Sequence, residues 1–158
     1  MDAFDADVLI YAAQVDHPMG AVIRRLFASA AERDPESPPQ EAAETALPAA
    51  GIGSVLLLPE TLTKPHRTQS RDELAALAAL LSRLDLRPVD EHTALAATSL
   101  GAAYGLRAAD AVHLATAVVA GADRFITNNR RDFPASIAEV AITYPADLVH
   151  GPGPHDDE

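Results

Sequence analysis

The sequence predicts an α/β fold, a three-layer α/β/α sandwich around a central parallel sheet of four to five strands. Three observations carry that expectation. Short apolar runs recur between segments of helical spacing, the two kinds of segment alternate along the chain, and acids stand where apolar runs end or helices begin. Alternation of this kind puts helices on both faces of a parallel sheet. From the N-terminus, Met1 to Asp5 reads as the first strand and Val8 to Gln14 as the helix after it. Pro18 to Ala31 sets Val22, Ile23, Leu26 and Phe27 at helical spacing and forms a second helix. The pattern is lost from Glu32 to Gly53, where Pro35, Pro38, Pro39 and Pro48 lie among Ala, Glu and Gly, so a mobile surface insertion over 32–53 is expected.

Ser54 to Leu58 is apolar and reads as a buried strand, after which Pro59-Glu60 opens a helical turn, Pro being tolerated at the first helical position. Arg71 to Leu84 repeats Leu74, Leu77, Leu80, Leu81 and Leu84, the signature of an amphipathic helix. Leu86 to Val89 is a strand, and Glu91 to Tyr104 and Ala108 to Ala120 are Ala-rich helices stopped by Gly105 and Gly121. Arg124 to Thr127 and Val140 to Thr143 complete the strands. No internal repeat or second-domain boundary is visible, which makes 1–150 a single domain followed by an acidic tail, 151–158, expected to be disordered.

A chain of 158 residues with 48% hydrophobic content suffices for one well-buried core. The absence of Cys removes disulfides, thiolate zinc sites and cysteine nucleophiles, and leaves carboxylate, hydroxyl, imidazole and water as the available chemistry. A reducing cytoplasmic location fits. The N-terminus has no basic region and its first apolar run is broken by Asp5 and Asp7, unlike a signal peptide. Leu47 to Pro59 is too short to span a bilayer, so no membrane association is expected. The net charge of -11 weighs against a nucleic-acid partner. Its distribution softens that objection: Glu32 to Glu44 holds five acids against Arg33, and three more acids close the tail. The remaining body is near neutral once the candidate site acids are set aside, with Lys64, His66, Arg67 and Arg71 close together and Arg130 beside Arg131. An RNA substrate is permitted.

Ligands of parallel sheets gather at the carboxyl ends of strands, which directs attention to Asp5 at the end of the first. Asp5 or Asp7 could simply cap the following helix, but one cap accounts for only one of the two acids. Glu60 lies in a first helical turn, where the dipole favours an acid by about 0.3–1 kcal/mol. Asp110 also begins a helix, one otherwise almost wholly apolar on that side. If Asp5, Glu60 and Asp110 converge, like charges ~4 Å apart repel by about 4 kcal/mol at an effective dielectric near 20. Such acids must protonate or hold a cation. An all-carboxylate set suits Mg²⁺ or Mn²⁺, and such an ion activates water and shields a phosphodiester in its transition state.

These residues resemble the PIN-domain ribonucleases, and most closely the VapC-like toxins of bacterial toxin–antitoxin pairs. Phe4-Asp5-Ala6-Asp7-Val8-Leu9-Ile10 matches the family's opening strand, with Asp7 in a slot usually held by a small polar residue. The family's second acid lands on Glu60, and Asp110-Ala111-Val112-His113-Leu114-Ala115-Thr116-Ala117 matches the helix carrying its third. Thr127-Asn128-Asn129-Arg130-Arg131-Asp132-Phe133 corresponds to the last block, with Asn129 where many relatives have Asp. The resemblance implies a Mg²⁺- or Mn²⁺-dependent endoribonuclease leaving 5′-phosphate and 3′-hydroxyl ends. It further implies that Asp5, Glu60 and Asp110 hold the metal, that Asn129 or Asp132 completes the catalytic set, and that Asp7 and Thr127 support it. A homodimer silenced by a cognate antitoxin protein is implied as well. Lys64, Arg67, Arg71, Arg130 and Arg131 are the candidate phosphate contacts, although a charge run is more often just a solvated face.

Two other readings share some of these residues. Asp5-Ala6-Asp7-Val8-Leu9 also looks like the first motif of haloacid-dehalogenase-type phosphatases, with Asp5 as nucleophile. That chemistry needs a well-placed Lys and a late pair of acids, whereas the only Lys is Lys64, before Pro65, and no Gly-Asp-x-x-x-Asp pattern occurs. With Asn129 in place of an acid, a PIN fold that binds RNA or protein without cutting is the alternative to an enzyme.

Overall fold

The computed structural model describes residues 1–32 and 49–149. In chain order its elements are β1 (Asp2–Phe4), α1 (Ala6–Ala13), α2 (Pro18–Glu32), β2 (Gly51–Ser54), α3 (Leu57–Arg67), α4 (Arg71–Leu81), β3 (Leu84–Arg87), α5 (Glu91–Tyr104), α6 (Ala108–Val119), β4 (Arg124–Ile126), β5 (Ala141–Thr143) and α7 (Pro145–Val149). The five strands form one sheet in the order β3-β2-β1-β4-β5, and every pairing is parallel. The α/β sandwich expected from the alternation is therefore the observed architecture.

Side chains on successive strand residues point to opposite faces, and the core divides accordingly. Ala3, Ile52 and Phe125 pack with Ala97 and Leu100 of α5 and Ala111, Leu114, Ala115 and Ala117 of α6. Phe4, Leu84 and Ile126 pack on the other face with Leu9, Ile23, Leu57 and Leu81 from α1 to α4. The small residues of α5 and α6 let that hairpin lie close to the sheet. Its counterpart face is filled by larger groups, including Phe4 and Phe27, whose rings meet at 5.1 Å. At the N-terminal end of the strands, opposite Asp5, Arg124 grips Asp2 with two hydrogen bonds of 2.9 and 2.7 Å, fixing β1 and β4 in register.

Several boundaries differ from the sequence reading. The second strand is Gly51–Ser54 rather than Ser54 to Leu58, so the end of the expected insertion is a central strand of the sheet. Gly51-Ile52-Gly53 reads as loop, yet the glycines are needed for close approach: a Cβ on Gly51 would come within 2.5 Å of the Phe4 ring, and one on Gly53 within 2.4 Å of Leu57. The apolar run to Leu58 instead begins α3, which delivers the fully buried Leu57 to the core. α4 ends at Leu81 and the third strand starts at Leu84, two residues ahead of its expected start. α1 starts at Ala6 because Asp5 caps it, and the five-residue α7 is an addition. Gly105 and Gly121 follow α5 and α6 with φ of 68°, as stops should. The rest of the expected insertion, 33–48, and the tail lie outside the described residues.

Besides His17, which stacks on Tyr11 and accepts the Gly20 N–H, Arg24 holds the α1–α2 turn. Arg24 donates from Nη1 to the carbonyls of Ala12 and Gln14, and from Nη2 to that of Val15, each at 2.9 Å. These are carbonyls at the C-terminal end of α1, where a cation is favoured. Arg24→Ala is expected to cost about 1–3 kcal/mol of stability, since charged hydrogen bonds are lost and the carbonyls are left to water. An unchanged urea midpoint would contradict this account of the turn.

Candidate active site

Asp5 follows β1, the middle strand. The chain leaves β1 for β2 and β3 on one side and comes back to β4 and β5 on the other, so the reversal of strand order falls beside β1. Crevices at such switch points, outside the carboxyl ends of the strands, are where open parallel sheets hold ligands. Asp5 is the N-cap of α1: one carboxylate oxygen, Oδ1, accepts the Ala6 N–H at 2.8 Å. The other, Oδ2, accepts the Thr127 hydroxyl at 2.7 Å, across from the end of β4. Capping and site-building thus use separate oxygens of one carboxylate. The residue is 6% exposed. Burial pushes its carboxyl above the usual range, despite the Thr127 bond and the positive field of His113.

Asp7 lies in the first turn of α1. Its Oδ2 accepts the Asn128 N–H at 3.0 Å, and its Oδ1 is buried with no hydrogen-bond partner among the described residues. Burial, reinforced by the Asp5 charge, pushes this carboxyl up to about 7. Thr127 is fully buried and links onward, its oxygen accepting the Asn129 N–H at 3.1 Å. The Asn129 amide donates to Asp132 Oδ2 at 2.8 Å, and its carbonyl oxygen accepts the Asp132 N–H at 3.2 Å. Asn129 therefore fastens Asp132, while Asp7 is the acid in the field of Asp5 and Glu60.

Glu60 and Asp110 are each held by a basic side chain that sequence reasoning left out of the site. His113 Nε2 donates to Glu60 Oε2 at 2.5 Å, joining α6 to α3. That bond pulls the Glu60 carboxyl below its ordinary range. The His113 side chain is 1% exposed, and burial alone would lower its pKa. The Glu60 bond and the fields of Asp5, Glu60 and Asp110 outweigh burial and raise it, so the ring carries charge more readily than a free imidazole. Arg107, the N-cap residue of α6, donates from Nε to Asp110 Oδ2 at 3.0 Å, and its Nη2 lies 3.9 Å from Asp132 Oδ2. Arg107, Asp110 and His113 are spaced by three along α6, which puts them on one side of the helix. That spacing around Asp110 is the sequence signal by which the two cations could have been found.

The structure thus ties Asp5, Thr127, Asn129 and Asp132 into one hydrogen-bonded run, holds Asp7 to the adjoining Asn128 N–H, and sets Arg107, the partner of Asp110, 3.9 Å from Asp132, while Glu60 is bonded to His113. All the acidic groups present hard oxygens of the kind a divalent cation takes. Among the described residues, however, no three His, Asp or Glu groups stand together as a ready metal-holding set. In this arrangement the oxygens of Glu60 and Asp110 are engaged by protein cations instead. The candidate phosphate contacts are more dispersed. Lys64 and Arg67 lie exposed on α3 and Arg71 opens α4. Arg130 is engaged by Asp147 at 3.1 Å and lies 3.8 Å over the Tyr144 ring, and the Arg131 side chain is 94% exposed. The exposed position of Lys64 gives a haloacid-dehalogenase-type mechanism no lysine at Asp5. No helix among the described residues is long and apolar enough to cross a membrane.

Comparison with known proteins gives a concordant picture. The family model described as the PIN domain matches residues 3–140. No curated protein matches the sequence significantly. A toxin–antitoxin complex from Klebsiella pneumoniae contains a chain 25% identical to this one, with a TM-score of 0.57, covering 92% of this chain and 98% of that one. DNA-bound VapBC from Salmonella typhimurium aligns at 19% identity and a TM-score of 0.65, over 91% of this chain and 97% of that one. VapBC2 from Rickettsia felis, bound to a promoter DNA fragment, aligns at 14% identity and a TM-score of 0.64, over 90% and 97%. The last two likenesses establish the fold.

The raised Asp7 carboxyl makes a stability prediction. In the unfolded chain this group titrates near ~3.9. A carboxyl raised in the folded state contributes stability below that value and loses it as pH climbs through about 7. With chelator present, Asp7→Asn is expected to be more stable than the parent above pH 7, by on the order of 1–3 kcal/mol, with the difference vanishing near pH 4. Urea unfolding across that range tests it, and a difference that does not vary with pH would count against the burial described.

Proposed function

The chain belongs to the PIN-domain family, and from that premise we propose that it is a metal-dependent endoribonuclease, the toxin of a toxin–antitoxin pair, with Asp5, Glu60 and Asp110 as its metal-holding carboxylates. What supports the reading is that Asp5, Glu60 and Asp110 all act on one buried ring, that of His113, beside the switch point of the sheet, in a setting that strips Asp5 of water and calls for positive charge. PIN-domain nucleases generally use divalent metal ions. Mg²⁺ or Mn²⁺ fits the donor chemistry here, provided that Arg107 or His113 yields the oxygens it now holds. Such an ion supplies the positive charge that both water activation and the phosphodiester transition state require.

The chain's own residues have separate tasks. Thr127 orients the Asp5 carboxylate, His113 fixes Glu60 from α6, and Asn129 holds Asp132 at the rim of the site. Glu60, Lys64 and Arg67 recur at intervals of four and three along α3, so the two cations continue from the Glu60 side of that helix. A strand of RNA laid along this side would meet Lys64, Arg67 and then Arg71 with successive phosphates. Arg130 and Arg131 would approach from the β4 end, Arg130 after leaving Asp147. The solved relatives are toxin–antitoxin complexes, which supports a protein antitoxin as partner, and we assign the chain to a homodimer in that assembly.

Purified protein incubated with unstructured RNA and Mn²⁺ is expected to cleave it, and excess chelator to stop the reaction. Asp110→Asn should reduce the rate by about a hundredfold or more, since it removes a charge the ion needs. Cleavage that survives this substitution would overturn the assignment. RNA binding without cleavage under any divalent ion would identify a binding module instead.

A further inference from the structure

The two cations of the site differ in how firmly they are placed. His113 is 1% exposed and locked to Glu60. Arg107 is 81% exposed, although the Asp110 side chain it holds is only 12% exposed. An ion pair whose cation is so open to water is weakly maintained, and the guanidinium can leave without opening the core. Where it leaves from matters: Asp110 Oδ2 is an oxygen that an entering cation would take, and Arg107 also lies in the fields of Asp132 and Glu60. It stands between the acids and solvent as a stand-in for the ion. Once displaced, a guanidinium presents a planar fork of donors that suits two oxygens of one phosphate.

Building on the nuclease reading above, we propose that Arg107 is an exchangeable counter-ion. It neutralises Asp110 in the ion-free protein, surrenders Oδ2 to the divalent cation, and then grips a phosphate of the RNA backbone beside the reacting one. Arg107 thereby opposes metal binding and assists substrate binding, and these opposite signs separate it from a residue that merely supports the fold. The residues that surround it agree with the exchange. Asp132, 3.9 Å from its Nη2, is fastened by Asn129 and offers the guanidinium a second carboxylate at the rim as it swings away from Asp110.

The test compares the full-length parent with Arg107→Ala, the shorter, neutral but polar Arg107→Gln, and Asp110→Asn. Free Mn²⁺ is measured by electron paramagnetic resonance during titration, and the KM for a single-stranded RNA is measured separately. Both Arg107 variants are expected to bind Mn²⁺ about two- to fivefold more tightly than the parent, the range expected for loss of an exposed ion pair. Their KM for RNA should rise about tenfold, as for a lost charged phosphate contact. If Asp110→Asn abolishes the Mn²⁺ site but the Arg107 variants bind Mn²⁺ no more tightly than the parent, the counter-ion role is wrong and the nuclease reading survives. Tighter Mn²⁺ with unchanged KM would overturn the phosphate role. Mn²⁺ binding indifferent to Asp110→Asn would sink the nuclease reading and this inference together.

Discussion

Negative charge gathered out of water at the middle of a sheet is the constraint on which the rest of this structure depends. Asp5 is buried beside Asp7, with Glu60 and Asp110 acting on the same imidazole, and like charges so placed repel strongly unless something neutralises them. The protein answers in three ways at once. Burial favours protons on Asp5 and Asp7, the His113 ring meets Glu60 and takes up charge more readily than a free imidazole, and an exposed guanidinium closes over Asp110. Each of these offsets negative charge, and the exposed guanidinium is the one most easily displaced.

The scaffold makes the gathering possible. Because β1 lies in the middle of the sheet, the chain after it turns into α1 at the same point where the chain after β4 arrives, and Thr127 can reach Asp5 across 122 residues of sequence. The Ala-rich face of α6 lets that helix approach the sheet closely enough for His113 to meet Glu60 on α3. The same helix begins at Arg107, so one element carries an acid and both of its cationic neighbours. Packing and chemistry are not separable here: His113 is at once a core side chain of α6 and the link that fixes Glu60.

The architecture was legible because alternating periodicities are a local property of the sequence, and so were Asp5, Glu60 and Asp110, each marked by its place next to a strand or at a helix start. The second strand was not, since Gly51 and Gly53 have the composition of a loop and owe their place to Phe4 and Leu57, which only the folded chain brings against them. His113 and Arg107 were not assigned to the site from the sequence. Their spacing about Asp110 was there to be read, but which carboxylates they meet is settled by α3 and the segment after β4. Asn129 was the most ambiguous position, and its side chain turns out to clasp Asp132 while Asp7 carries the buried orphan oxygen.

Paramagnetic broadening by Mn²⁺ of the backbone amide signals of the ¹⁵N-labelled protein tests the central claim most directly, because it locates the ion without relying on activity. The account predicts that substoichiometric Mn²⁺ first erases the signals of Ala6, Asp110 and Asn128, three positions distant in sequence that the proposed metal site brings together. Broadening that begins instead at the acidic stretch Asp156 to Glu158, and leaves those three signals intact, would contradict it.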